Sequence, residues 1–224
     1  MTAKEVIIEL ESLATDLMKK RYKGRGAQEP FFGVATGVMK PLHKKIGINH
    51  ALAEELYASG NYDVMYFAGM IADPNIMAKD DFNRWMQTAY FPMLSDFVVA
   101  VTLSESPLAM EIANEWLDND KELYRSAGWS AYQWLLGWQK DDFFQKDKVA
   151  ELLKRAVSEI GNENKNGHMH GVINDFIAAV GVSYIPLHNE AAKAAKQLAI
   201  RADKTIFNAA HKGKVGFKRR AVRC

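Results

Sequence analysis

Asp96 is the residue in this chain whose setting most calls for a chemical account. It lies in Met93-Leu94-Ser95-Asp96-Phe97-Val98-Val99-Ala100-Val101, an otherwise apolar run of helical character. A carboxylate in such a run must be capped, paired or used, because an unpaired buried charge is costly. Arg125, which follows Tyr124 and precedes Trp129 by one helical turn, is the partner that the spacing offers. An aspartate beside an arginine stays ionised at neutral pH. Two readings are open: a structural cap or ion pair, and an acid held in a cleft for electrostatic work.

Other chemistry is poorly served. His168 and His170 are two residues apart, the wrong spacing for two ligands on one helical face, and no Cys, Asp or Glu cluster joins them. No metal and no cofactor is expected. Gly24-x-Gly26 lacks a following Lys-Ser or Lys-Thr and a preceding strand, so it is not a phosphate loop. Gly33 and Gly37, four apart, fit helix packing better.

Charge gives a second lead. The net charge is +2, but residues 211–224 hold Lys212, Lys214, Lys218, Arg219, Arg220 and Arg223 and no acid. Of 29 basic residues 23 remain outside this tail, against 27 acids, so the body is at −4. Lys19, Lys20, Arg21, Lys23 and Arg25 form another basic block. Such blocks attract polyanions, nucleic acid above all, or are solvated faces with no ligand.

The elements that must position these residues are helices. Val6, Ile7, Leu10, Leu13, Ala14, Leu17 and Met18 make an apolar stripe with steps of three and four. Val149, Leu152, Leu153, Ala156, Val157 and Ile160 make another, which Gly161 ends. Breaks fall at Arg25 to Pro30, Gly47, Ser59 to Tyr62, Asp73-Pro74, Ser104 to Pro107, Asp118 to Asp120 and Gly161 to Gly167. Val180 to Pro186 is the nearest approach to a strand, and helix competes with it. About ten helices of 12–20 residues are expected. Tyr66 to Gly69, Phe97 to Ala100 and Tyr124 to Gly128 recur about 30 residues apart with small residues mid-helix, the spacing of stacked helix pairs. The expected fold is an all-α helical-repeat solenoid over residues 1–210, with a basic tail over 211–224. A compact bundle is the alternative. No apolar run approaches the ~18 residues of a membrane span. The first ten residues carry Lys4, Glu5 and Glu9 and lack a signal-peptide core. The expectation is therefore a cytoplasmic protein; the one cysteine, Cys224, allows no intrachain disulfide, and a monomer is expected.

Several segments, in order, resemble the DNA alkylation repair family, of HEAT-like repeats. They are Arg25-Gly26-Ala27 through Phe32-Gly33-Val34, Gly60-Asn61-Tyr62 through Asp73-Pro74, and Leu94-Ser95-Asp96-Phe97-Val98-Val99. Ser126-Ala127-Gly128-Trp129, Phe176 to Gly181 and the terminal Lys218 to Cys224 continue the resemblance over nearly the whole chain. It implies a solenoid whose concave basic face cradles duplex DNA. Its AlkD-type members release N3- and N7-alkylated purines without flipping the damaged base. A fixed aspartate stabilises positive charge developing on the sugar, aromatic faces add cation–π attraction, and an arginine holds the backbone.

Residue by residue, the family's aspartate falls on Asp96 and its arginine on Arg125. The tryptophan four residues before the aspartate is Pro92 here, and the later tryptophan falls near Ala179. Tyr90, Phe91 and Trp129 are the aromatic residues that could stand in. The expected DNA contacts are Arg125, Trp129, Tyr90, Lys19, Lys20, Arg21, Lys23, Arg25, Lys218, Arg219 and Arg220. Three functions follow: a glycosylase for N3/N7-alkylated purines, a non-catalytic binder of distorted or branched DNA, and a protein-binding solenoid with an incidental tail.

Overall fold

The structure, a computed structural model, describes residues 1–165, 167–216 and 218. It is all-helical, with no strand among the described residues. Residues 180–186, the strand candidate, instead finish one helix and start a 3-10 turn, Ile185–Leu187. Contacts cluster into two compact units, Met1–Ile112 and Ala113–Cys224.

In the first unit, α1 (Ala3–Ser12) and α2 (Asp16–Gly24) open on side-chain caps. Thr2 Oγ1 accepts from Glu5 N, and the Glu5 carboxylate accepts in return from Thr2 N at 2.8 Å. Thr15 Oγ1 accepts from Met18 N. These bonds satisfy donors that a helix start leaves open. A 3-10 turn, Thr36–Met39, leads into α3 (Lys40–Ile46), which Gly47 ends at positive φ. Asn49 and Asn61 cap α4 (His50–Tyr57) and α5 (Tyr62–Ile71). There follow α6 (Lys79–Thr88), α7 (Pro92–Leu94), a π-helical turn (Ser95–Val99) and α8 (Ala100–Ser104). These helices are ten residues or fewer, shorter than the periodicity predicts. Side-chain caps and prolines at Pro41 and Pro92 divide what the apolar stripe alone would join.

α5 is the core of this unit. Val64, Phe67, Ala68 and Ile71 are wholly buried on it. Gly69 lets the π-helical turn come close, since a Cβ there would lie 2.6 Å from Val98 Cγ1. α4 and α6 are joined through Glu54, which accepts from Trp85 Nε1 at 2.9 Å and from Arg84 Nη2 at 2.5 Å.

α9 (Ala109–Leu117) carries the chain into the second unit, built from α10 (Glu122–Trp138), α11 (Lys146–Ile160), α12 (His168–Ser183), α13 (His188–Gln197) and α14 (Arg201–His211). α12 packs against α10, α11, α13 and α14. Gly128 does for α10 what Gly69 does for α5: its absent Cβ would lie 3.0 Å from Ala113 O. Among the described residues no single helix is long and apolar enough to cross a membrane.

Candidate functional site

Asp96 sits on the π-helical turn Ser95–Val99, between α7 and α8. Such turns arise where an extra residue is accommodated within a helix, and they are frequent at functional sites. The sequence gives no period-based sign of the insertion. The Asp96 side chain turns inward, and the residue is 1 % exposed. Ser95 Oγ donates to Asp96 Oδ1 at 2.8 Å. Leu94, Val98 and Val99 around it are buried, while Phe97, the next residue, is 46 % exposed.

A second buried acid, which no motif in the sequence marks, holds the segment before α3. Asp63 Oδ2 accepts from Phe32 N at 2.6 Å and Gly33 N at 2.9 Å, and Oδ1 accepts from Val34 N at 2.9 Å. Burial pushes its carboxyl up, against the lowering pull of those three N–H bonds. The available signal was an acid in the first turn of an apolar helix behind an asparagine cap, Asn61-Tyr62-Asp63. Aromatic rings surround the segment. Tyr22 meets Tyr62 edge-on at 4.8 Å, and Tyr62 meets Phe91 at 5.1 Å. The Tyr22 hydroxyl donates to the Val34 carbonyl. Tyr90 belongs to this cluster: it stacks on Phe91 at 5.3 Å, and its hydroxyl donates to Gln28 O at 3.3 Å. Burial, with the Asp63 charge, pushes the Tyr90 hydroxyl up to about 12.

In the second unit, Arg125 is half-buried and ties its own helix to the preceding loop: Nη1 donates to Asp120 O at 3.0 Å and to Asn119 O at 3.4 Å. Trp129, expected to flank DNA, is wholly buried. Its Nε1 donates to Glu159 Oε2 at 3.2 Å and its ring packs on Phe176 at 4.8 Å. It is a core side chain, because α10 turns that face onto α11 and α12. Arg155, which in the sequence is only part of a polar face, completes the node. It bonds Glu159 Oε1, Asp118 Oδ1 and Leu117 O, each at 2.6 Å, and lies 6.0 Å over the Trp129 ring.

The basic block of α2 and its C-cap Arg25 lies at the surface. Lys19, Lys20, Arg21, Lys23 and Arg25 are all exposed, with Lys23 Nζ 3.3 Å from Glu29. Lys40, Lys44 and Lys45 of α3 are exposed too, beyond the block recognised in the sequence, and Lys45 pairs with Glu9 at 3.4 Å. Between residues 19 and 45 eight cations face one acid, Glu29. Lys218 turns inward: Nζ donates to Asp141 Oδ1 at 2.8 Å, to Leu136 O at 3.2 Å and to Ser183 O. It thereby meets carbonyls near the ends of α10 and α12, where a cation is favoured. Arg219 and Arg220 lie outside the described residues. Among the described residues no group of three or more His, Cys, Asp or Glu is placed to hold a metal.

Comparison with known proteins gives this geometry a context. The model of a family described as DNA alkylation repair enzyme matches residues 6–165. Uncharacterized proteins of Listeria innocua and Listeria monocytogenes are each 25 % identical over 204 residues, covering 88 % of this chain and 87 % of their own. A solved structure is 46 % identical, covers all of both chains and superposes with a TM-score of 0.94. It represents a new family of proteins related to the HEAT-like repeat DNA glycosylases, with affinity for branched DNA structures. The helical fold is thus of the HEAT-like repeat class. With the family model matched over most of its length and a solved relative matched end to end, the chain belongs to the DNA alkylation repair enzyme family.

Proposed function

We propose that this protein binds branched DNA and does not cleave the glycosidic bond. The observation that carries the reading is the burial of Asp96, the acid at the position of the family's catalytic aspartate, at 1 % exposure. A carboxylate acts on a developing sugar cation only where the two can approach in a preorganised site. The expected aromatic walls point the same way. Pro92 holds the first of those positions, the second falls near Ala179, and Trp129 is committed to the core. Affinity for branched DNA is ascribed to a relative that matches this chain over its full length. The exposed cations from Lys19 to Arg25 suit phosphate contacts, which supply most sequence-independent affinity. The protein acts as a monomer in the cytoplasm.

The test is paired. Gel-shift titration with a three-way junction and a linear duplex of equal length should give tighter binding to the junction. Incubation with methylated DNA should release no 7-methylguanine or 3-methyladenine above background. Base release that is lost in Asp96→Asn would establish the glycosylase instead, the activity that membership of a repair-enzyme family favours.

A further inference from the structure

We infer that the cleft between α13 and α14 receives an unpaired base of a DNA branch, an inference that rests on the branched-DNA reading above. The cleft holds about 410 Å³ and is lined by His188, Lys193 and Lys196 from the α13 side and by Asp203, Ile206 and Phe207 from α14. It lies beyond residues 6–165, where the family model matches. Its floor is fixed: Ile206 is 2 % exposed, and His188 Nδ1 donates to Gly181 O at 2.6 Å. Its wall is not covered. Phe207 is 67 % exposed, and its ring lies parallel to His211, 6.2 Å away with 6° between planes.

The chemistry of the rim selects the occupant. Lys193 and Lys196 are exposed, as are Lys204 and Lys212 of the same helical hairpin. Among the described residues none of the four is held in an ion pair, whereas Arg201 nearby pairs with Asp175 at 2.5 Å. A flat ring with open lysines beside it is the combination that binds single strands: bases stack on the aromatic face while cations follow the phosphates. Asp203, the acid in the cleft, repels a phosphate but can accept from the exocyclic amino group of a base. Paired bases within a duplex keep their faces covered by their neighbours. A branch point or flap exposes them.

The experiment uses the full chain and three fluorescent probes: a duplex with an unpaired flap, a linear duplex of equal length, and an acidic peptide as the control without DNA. Phe207→Ala should weaken flap binding by about five-fold or more, the loss expected for one base–aromatic stack, while linear-duplex binding stays within about two-fold. Phe207→Leu should not restore it, because bulk without a ring cannot stack. Lys193→Gln with Lys196→Gln should flatten the salt dependence of flap binding. A 5-iodouracil in the flap should crosslink to α14. Wild-type binding of branched DNA that is unchanged in Phe207→Ala, with crosslinks elsewhere, overturns the cleft assignment and leaves the proposed function standing. Failure of the wild type to bind any branched DNA overturns both. Phe207-dependent binding of the acidic peptide, with flap binding unaffected, assigns the cleft to a protein partner and overturns the base site.

Discussion

Asp63 and Asp96 are both buried acids, yet they do different work. Asp63 closes three backbone donors of residues 32–34 with one carboxylate. Asp63→Asn keeps one oxygen and turns an amino group toward N–H donors. It should cost about 1–3 kcal/mol, the penalty for a buried donor left unsatisfied, read as a lower urea midpoint. The pH effect has a definite sign. Because burial holds the folded carboxyl above its ordinary 3.8, the stability from this group is present below that value and is lost as pH rises through the raised one. Asp63→Asn should therefore remove that loss, flattening the stability–pH curve just above 3.8. Trp129→Ala should cost about 3–5 kcal/mol, as large core truncations do, and release Arg155 from its node. A stability change below about 1 kcal/mol would place Trp129 outside the core. Asp96 was legible as an anomaly, an acid in an apolar run. Its inward direction was not, because the π-helical turn on which it sits leaves no mark in the apolar periodicity. Asp63 left no such mark, because its partners are backbone groups about thirty residues away and do not depend on side-chain type.

Helices were legible as a class, and their lengths less so. The stripe from Val6 to Met18 reads as one helix, but Thr15 caps a fresh start and the chain forms two. The expected breaks at Gly47 and Asp118 to Asp120 match loops, since cap and turn residues act locally. Gly161 also follows its helix, but at φ −66 it does not use a glycine's left-handed freedom. Of the small mid-helix residues in the recurring segments, Gly69 and Gly128 let neighbouring elements come close. Gly69→Ala forces Val98 or the backbone to move, and overpacking of this kind costs about 1–3 kcal/mol. Val98→Ala in the same chain should recover part of that loss, a coupling that a double-mutant cycle measures. Additive effects would mean that α5 and the π-helical turn are not in tight register.

Across the whole molecule a modest net charge of +2 conceals concentrated basic segments. Lys19→Gln, Lys20→Gln and Arg21→Gln together should weaken DNA binding and flatten its dependence on salt, by up to about 0.9 in log–log slope for each phosphate that is no longer neutralised. An unchanged slope would move the phosphate-binding surface elsewhere. Lys218→Ala should act differently, lowering the melting temperature more than the salt slope, since its ammonium is bonded within the second unit. The most direct measurement is equilibrium binding of the full chain to a three-way junction and to a linear duplex of equal length, paired with base release from methylated DNA. Tighter junction binding, weakening steeply with salt and without release of an alkylated purine, is the predicted result. Equal affinity for the two DNAs, or alkylpurine release abolished by Asp96→Asn, would contradict it.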